Sequence, residues 1–246
     1  GLISYEEAAQ KHSDAQIIIN TTPVGMYPDT EKKPIEISAF SALEGVLDAI
    51  YHPLRTNLVL DAQERGIPAS GGLYMLSAQA VYASAVFLDK ELEPELIEKA
   101  YKLVKADKQN IVLVGMPSSG KTTVGKIIAE RTGKTFEDTD DTIVSEIGMP
   151  IAQFFAEHGE NAFRELESRV IAEASNKGGR VIATGGGAVL RPENVRAMRR
   201  NGPVVFIDRS LERLITTDDR PLSSNRTALE KLFETRYDIY KNAADL

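Results

Sequence analysis

The chain has 246 residues, of which 42% are apolar and 26% charged, so it can build a core and is not mainly disordered. It contains no cysteine and three histidines. This composition excludes a disulfide framework, a zinc finger and a thiol nucleophile, and argues against a histidine-rich metal site. No run approaches the roughly 18 apolar residues of a membrane span, and the net charge of −7 argues against general nucleic-acid binding. We therefore expect a cytoplasmic protein of one or two domains, without a membrane or nucleic-acid partner.

Positive charge is concentrated in the second part of the chain. Residues 1–107 carry 9 Lys and Arg against 16 Asp and Glu, whereas residues 108–246 carry 20 of each. Thirteen of the 15 arginines lie in the second part. The planar guanidinium suits carboxylates and phosphates, although most of these arginines are expected on the solvated surface. A short polar stretch at 106–109 predicts a domain boundary, which gives domains 1–107 and 108–246.

The first domain alternates short apolar runs with helical patterns. Periodicity and turn residues predict, in chain order, a strand at 15–20, a Pro/Gly loop at 20–30, a strand at 45–48, and helices at 57–65, 72–88 and 93–104.

The second domain shows a regular alternation of strands and helices. Strands are predicted at 110–114, 135–138, 180–183 and 204–208. Helices are predicted at 121–132, 142–148, 151–158, 161–175, 192–201, 211–216 and 228–243. This alternation predicts an α/β fold with a parallel sheet covered by helices on both faces. Ligands of such sheets bind at the carboxyl ends of the strands.

A glycine-rich loop lies between the first strand and the first helix of this domain. Residues 115–122 match G-x-x-x-x-G-K-[ST]. Gly120 allows the backbone to curl so that its N–H groups point inward, and the following helix adds its positive end. Lys121 is expected to reach the β- and γ-phosphates, and the Thr122 hydroxyl to bind Mg²⁺. The loop alone does not distinguish a GTPase, an ATPase and a small-molecule kinase.

Four motifs follow the loop, and a further arginine, Arg236, lies on the last predicted helix. The motifs are Asp138-Thr139-Asp140, Phe163-Arg164-x-x-Glu167, Gly185-Gly186-Gly187 and Arg220-Pro221-Leu222. In order and spacing, residues of about 108–246 resemble shikimate kinase. The resemblance implies a P-loop kinase that transfers phosphate from ATP, with Mg²⁺, to the 3-hydroxyl of shikimate in aromatic amino-acid biosynthesis.

The resemblance also implies which residues bind the nucleotide and the metal. ATP would contact Arg220 and the loop residues Ser118, Ser119, Gly120, Lys121, Thr122 and Thr123. Asp138 and Thr122 would hold Mg²⁺. Lys121, Asp140 and Arg220 would be the catalytic residues, with Arg220 arriving from a lid to neutralise charge on the transferring phosphoryl group.

The acceptor site is implied in the same way. Asp140 would accept a hydrogen bond from the substrate hydroxyl and orient or deprotonate it. Arg164 and Arg236 would bind the substrate carboxylate between them. The backbone N–H of Gly186 would approach a ring hydroxyl, because no Cβ blocks it.

The chain departs from the family's pattern in two places. Residues 216–219 lack an arginine that often precedes the Arg-Pro-Leu motif, and whether Arg213 substitutes for it stays open. The family continues with a strand and a helix that help form the adenine pocket, and both ends of this chain look cut. Two alternatives therefore remain: a catalytically incomplete nucleotide-binding fragment, or a P-loop kinase of another small polyol.

Three segments of the first domain, at 20–28, 48–56 and 71–79, resemble the C-terminal part of shikimate dehydrogenase, over residues of about 3–104. The resemblance implies a partial Rossmann-like α/β segment of an NADP-binding domain. Tyr51 and Gln79 would contact shikimate, and Ala49 and Gly72 would lie near the nicotinamide. The family's glycine-rich dinucleotide loop and Lys–Asp pair are not found in this domain, so NADP is expected only for a complete dehydrogenase half. The whole sequence looks like a segment of a bifunctional dehydrogenase–kinase whose oligomeric state the sequence does not determine.

Overall fold

The computed structural model describes residues 2–214 and 226–246. Its internal contacts separate the chain into two compact units, Gly1–Lys108 and Gln109–Leu246, which we call unit 1 and unit 2.

Unit 1 is built on a small parallel sheet. Its strands, in the sheet order β1-β2-β3, are β1 (Ile17–Asn20), β2 (Gly45–Asp48) and β3 (Ala69–Ser70). Ile18 and Val46 are partners across the sheet and belong to the hydrophobic core, whereas Ile17, Ile19 and Leu47 are exposed. This alternation follows from the two-residue period of a strand. The sequence did not predict β3, because two residues are too few to show that period.

The helices of unit 1 lie before, between and after these strands in the sequence. They are α1 (Tyr5–Lys11), α2 (Asn57–Glu64), α3 (Leu73–Phe87) and α4 (Pro94–Lys108). The rings of Tyr74 on α3 and Tyr101 on α4 lie 5.5 Å apart, centre to centre, edge to face. The prediction that α4 ends at residue 104 is wrong. Residues 105–108 stay helical, because the sequence Lys-Ala-Asp-Lys contains no helix breaker and places basic side chains at the helix C-terminus.

Unit 2 has a parallel sheet with the strand order β5-β6-β4-β7. The strands are β4 (Ile111–Val114), β5 (Thr135–Asp138), β6 (Arg180–Ala183) and β7 (Val204–Phe206). At the chain's last residues, the Phe206 N–H donates to the Leu246 carbonyl and the Asp245 N–H donates to the Val204 carbonyl. In the sheet order, β4 lies between β6 and β7. The first strand of unit 2, which precedes the glycine-rich loop, therefore has a neighbouring strand on each side.

The helices of unit 2 cover both faces of this sheet. They are α5 (Lys121–Thr132), α6 (Thr139–Ile147), α7 (Ile151–Asn176), α8 (Pro192–Arg199) and α9 (Arg226–Ala243). Val112 and Val114 of β4 pack in one core cluster with Leu229 of α9, whereas Leu113 packs in another with Ala129 of α5. The predicted α/β fold with helix-covered parallel strands is confirmed.

Two helix predictions need correction, and one is supported in detail. α6 begins at Thr139 rather than 142, because the Asp138 carboxylate accepts from the Asp140 N–H and caps the helix. Of the helix predicted at 211–216, the described residues form only a 3₁₀ turn, Leu211–Arg213, followed by the non-helical Leu214, and residues 215–216 lie outside them. The predicted division of α7 is present at Gly159, which has non-helical torsion angles (φ 81°, ψ 171°).

None of the helices in the described part of the chain combines the length and apolar character that crossing a bilayer requires.

Candidate active site

The loop that joins β4 to α5 has the backbone of a phosphate-binding loop. Gly120 stands before α5 in the left-handed region (φ 99°), and Ser118 also has a positive φ of 62°. The Lys121 ammonium group is buried and donates to the carbonyl oxygens of Gly115 and Met116, at 2.9 Å each. The lysine thus braces the loop from inside, where an anion's phosphate oxygens would compete for its protons.

Two features of this loop fit an anionic ligand. The Ser119 hydroxyl is buried and has no hydrogen-bond partner within residues 2–214 and 226–246. A buried polar group without a partner is costly, so the hydroxyl is available to a ligand. Thr123 lies at the exposed start of α5, whose N-terminus points positive charge toward the loop.

Thr122 and Asp138 meet at the edge of the loop. The Thr122 hydroxyl donates to Asp138 Oδ2 at 2.8 Å, while Asp138 Oδ1 accepts from the Asp140 N–H at 3.1 Å. Both oxygens are hard ligands, and Mg²⁺ typically takes only one or two protein ligands beside phosphate and water. The pair therefore fits a magnesium ion shared with a nucleotide.

A cavity of about 450 Å³ opens beside this pair. It brings together predicted residues from six separate elements or loops: Thr122, Asp138, Asp140, Arg164, Gly186 and Arg236. Apolar walls come from residues such as Phe155 and Phe163. The Asp140 carboxylate, two guanidinium groups and the Thr122–Asp138 pair thus face one space large enough for a small molecule.

Arg164 is anchored by carboxylates on its own helix. Its Nη1 donates to Glu167 Oε2 at 2.6 Å, and its Nε and Nη2 donate to Glu160 Oε1 at 3.4 and 3.2 Å. Burial opposes the charge of Arg164, but Glu167 and Glu160 outweigh burial and raise its pKa. The guanidinium is therefore charged and oriented, and three of its five N–H donors are used within the described residues, which leaves two for another acceptor.

Arg236, on α9, is held by the glycine loop that follows β6. Its Nη1 donates to the Gly186 carbonyl at 3.1 Å, and the Tyr240 hydroxyl donates to the same oxygen. Tyr240 is fully buried and its ring stacks on Phe206 at 5.5 Å. Burial raises the pKa of Tyr240 to about 12, so its hydroxyl remains a donor. Arg236 and the glycine loop are thereby fixed to each other.

The three glycines differ in what a Cβ would meet. A Cβ on Gly187 would lie 1.9 Å from Arg164 Nη1, and one on Gly185 would lie 2.6 Å from Asp140 Oδ1. A Cβ on Gly186 would meet only Pro117, at 3.0 Å. Side chains of the cavity therefore occupy the Cβ positions of Gly185 and Gly187, while the predicted approach of the Gly186 N–H to a ring hydroxyl stays a prediction.

Sequence reasoning assigned no role to the residues that hold the two arginines, although it quoted Glu167 as part of a motif. Glu160 and Glu167 lie four residues before and three residues after Arg164, and Tyr240 lies four residues after Arg236. These spacings place side chains on one helix face, so the i,i+3 and i,i+4 rule was the available signal.

Two predicted kinase residues remain without a structural account. Arg220 lies outside the described residues. Arg213, the open substitute for a missing arginine, is an exposed residue of the turn after β7.

The predicted site residues of unit 1 are placed differently. Tyr51 and Gln79 are both exposed. A Cβ on Gly72 would lie 2.0 Å from the Ala49 carbonyl oxygen, and the Gly72 N–H donates to the Ile50 carbonyl at 2.8 Å. Gly72 is thus required by backbone packing against Ala49, whatever ligand lies nearby.

Unit 2 is similar to known proteins in sequence and in structure. A shikimate kinase from Caldicellulosiruptor bescii is 45% identical over 141 residues, which cover 54% of this chain and 82% of the relative. The structure of shikimate kinase from Acinetobacter baumannii in complex with shikimate is 33% identical, with a TM-score of 0.55. It covers 58% of this chain and 84% of that chain.

A shikimate dehydrogenase structure from Peptoclostridium difficile is also similar, at 31% identity over 41% of this chain and 36% of that one. Its TM-score of 0.37 is too low to establish a shared fold.

The sequence model of one family matches residues 117–246, more than half of the chain and nearly all of unit 2. Those residues contain most of the phosphate loop and the whole of the cavity described above, and on this match the chain belongs to the shikimate kinase family.

Proposed function

We propose that unit 2 transfers the γ-phosphoryl group of ATP to the 3-hydroxyl of shikimate, in a reaction that requires Mg²⁺. One observation carries the proposal: Asp140, Arg164 and Arg236 line the same cavity as the Thr122–Asp138 pair. Family membership and the shikimate complex of the Acinetobacter baumannii relative support this choice of acceptor.

On the acceptor side, the chain supplies charge and position. The free N–H donors of Arg164 and the guanidinium of Arg236 bind the carboxylate of shikimate. Asp140 accepts the hydrogen of the reacting hydroxyl and orients its oxygen toward the phosphate loop. The ring stacks against apolar walls that include Phe155, and these exclude water.

On the donor side, the loop N–H groups and Lys121 bind the phosphates, with Ser118, Ser119, Gly120 and Thr123 contributing backbone or hydroxyl groups. Thr122 and Asp138 hold Mg²⁺, which neutralises phosphate charge when it is bound. Arg220 is proposed, on the family resemblance, to neutralise charge on the transferring group.

A substrate panel tests the acceptor. Turnover of ATP is measured with shikimate and with a cyclohexene triol that lacks the carboxylate. We expect phosphorylation of shikimate and a loss of at least about tenfold in kcat/KM for the triol, the effect of one charged hydrogen bond. Equal rates would favour a kinase of another polyol, and ATP binding without turnover of either would favour a nucleotide-binding fragment.

The phosphate loop is tested by Lys121→Ala. Because this change removes the ammonium group from inside the loop, we expect loss of measurable phosphoryl transfer. The circular dichroism spectrum of the variant should match that of the parent. Lys126→Ala, an exposed lysine on the same helix, is the matched control and should retain the parent rate. Substantial turnover by Lys121→Ala would contradict the assignment.

For unit 1, we propose that it corresponds to the C-terminal part of a shikimate dehydrogenase. The three segments that resemble that family and the parallel sheet of unit 1 support this proposal. A dinucleotide needs backbone N–H groups and a helix N-terminus at its pyrophosphate, and the corresponding loop is not found in residues 1–107. We expect no NADP-dependent oxidation of shikimate by this chain in a spectrophotometric assay. A measurable rate would contradict the proposal.

A further inference from the structure

β7 lies on the opposite side of β4 from the strands that carry the acceptor cavity. The sheet order is β5-β6-β4-β7, and cavity residues such as Asp140 and Gly186 follow β5 and β6. In-line phosphoryl transfer puts the acceptor and the leaving group on opposite sides of the transferring phosphoryl. With the acceptor on the β5–β6 side of the loop, the remaining phosphates of the donor extend toward the carboxyl end of β7.

Arg209 lies at that end of β7. It follows the strand by three residues, and its guanidinium Nη1 donates to the Ser118 carbonyl at 3.5 Å. The same nitrogen lies 4.0 Å from the point that a Cβ on Gly120 would occupy. Arg209 therefore reaches two residues of the phosphate loop from outside the acceptor cavity.

The charge of Arg209 is not neutralised by a neighbouring side chain. In the described ranges 2–214 and 226–246, no carboxylate lies within ion-pair distance of its guanidinium, and the bond to Ser118 is its one hydrogen bond. The adjacent carboxylate, Asp208, accepts instead from the Tyr237 hydroxyl at 3.0 Å. A half-buried guanidinium with one long hydrogen bond keeps most of its donors for a ligand.

We propose that Arg209 binds the phosphate chain of the nucleoside triphosphate donor. Lys121 approaches the loop from inside, through Gly115 and Met116, whereas Arg209 approaches it from the β7 side at Ser118 and Gly120. The two cations thus act on different phosphate oxygens. This assignment rests on the proposed function, which supplies the nucleotide, but it adds a residue that the glycine-rich motif does not contain.

The test compares Arg209→Gln and Arg209→Lys with Arg131→Gln, which removes the same charge from the exposed last turn of α5. Binding of ATP, inorganic tripolyphosphate and shikimate is measured separately by calorimetry, together with KM for ATP. We expect Arg209→Gln to weaken ATP and tripolyphosphate roughly tenfold, since a charged hydrogen bond to phosphate is lost. Arg209→Lys should fall between Arg209→Gln and the parent, because it keeps the charge but not the planar fork. Shikimate binding should stay within about twofold of the parent, as should every property of Arg131→Gln.

Three results would overturn the proposal. The first is unchanged ATP affinity in Arg209→Gln. The second is a loss confined to ATP and absent with tripolyphosphate, which would place Arg209 on the nucleoside. The third is an equal loss of shikimate binding, which would indicate a general structural role. If ATP affinity is unchanged in Arg209→Gln but the parent binds ATP, only the assignment of Arg209 fails. If the parent chain itself binds no ATP, the proposed function fails too, so the two failures are distinguishable.

Discussion

Both units place polar side chains at the carboxyl ends of parallel strands, but they use them in opposite ways. In unit 1, Asn20 Nδ2 donates to Asp48 Oδ1 at 3.1 Å, and the Thr56 hydroxyl donates to Asp48 Oδ2 at 2.6 Å. All three side chains are buried and satisfy one another. In unit 2, Asp138 and Asp140 at the end of β5 line an open cavity together with Arg164 and Arg236, which reach it from helices α7 and α9. Polar residues at strand ends are therefore available to a ligand only where they face an open space rather than being buried against one another.

The largest effect that would sharpen this contrast is expected from Gly187→Ala. Gly187 has an ordinary φ of −98°, so alanine adds no backbone strain, and its Cβ would overlap Arg164 Nη1 at 1.9 Å. Displacement of the guanidinium should lower kcat/KM for shikimate by roughly 100-fold, since overpacking and a lost charged contact combine. Gly186→Ala, whose Cβ meets only Pro117, should lose less. Steady-state kinetics decides the order, and a larger loss in Gly186→Ala would contradict the geometry.

The next effect concerns Arg164→Lys and Arg236→Lys, measured separately. Each keeps the charge but removes the planar fork, so we expect a loss of roughly 10- to 100-fold in kcat/KM for shikimate. ATP affinity should change little, because both arginines lie in the acceptor cavity. If turnover is absent in the parent, shikimate binding by calorimetry replaces kinetics. Variants that bind shikimate normally but lose ATP would reverse the assignment.

Asp48→Ala tests the other half of the comparison. It leaves Asn20, Thr56 and the Ile50 N–H without their shared acceptor, at a cost of about 1–3 kcal/mol in the free energy of unfolding. Kinase turnover should not change. Asp29→Ala is the control, because its salt bridge with Lys32 is exposed and contributes little. Urea unfolding followed by circular dichroism gives the answer, and loss of turnover in a stable Asp48→Ala would count against a purely structural cluster.

The smallest effect is expected from Tyr240→Phe. The ring and its stacking on Phe206 remain, while one of the two donors to the Gly186 carbonyl is lost. A cost of about 1 kcal/mol in unfolding and a rise of a few-fold in KM for shikimate should follow, with kcat unchanged. Tyr237→Phe, whose exposed hydroxyl contacts Asp208, is the matched comparison and should leave that KM as it is. An unchanged KM in Tyr240→Phe would show that Arg236 needs no help from the tyrosine.

Sequence reasoning succeeded where the signal is local. The strand–loop–helix pattern around Lys121 and the interruption of α7 at Gly159 follow from neighbouring residues. It failed where the outcome depends on distant partners. Gly187 matters because Arg164 reaches over it, and the Gly186 carbonyl is bound by a side chain 50 residues away. No local pattern encodes either contact, whereas helical spacing from Arg164 could have identified Glu160 and Glu167 as its partners and was not used for that purpose.

Glu160 has a consequence for how a carboxylate enters and leaves the cavity. Its side chain is about half exposed, yet it accepts from Nε and Nη2 of the buried Arg164, the edge of the guanidinium that pairs best with a carboxylate. An incoming carboxylate that binds the two remaining N–H donors of Arg164, as proposed above, leaves Glu160 in place beside it. The buried guanidinium therefore keeps an ion-pair partner whether or not an acceptor is bound. A bound acceptor carboxylate then lies next to a second negative charge, and this repulsion favours rapid release over tight binding.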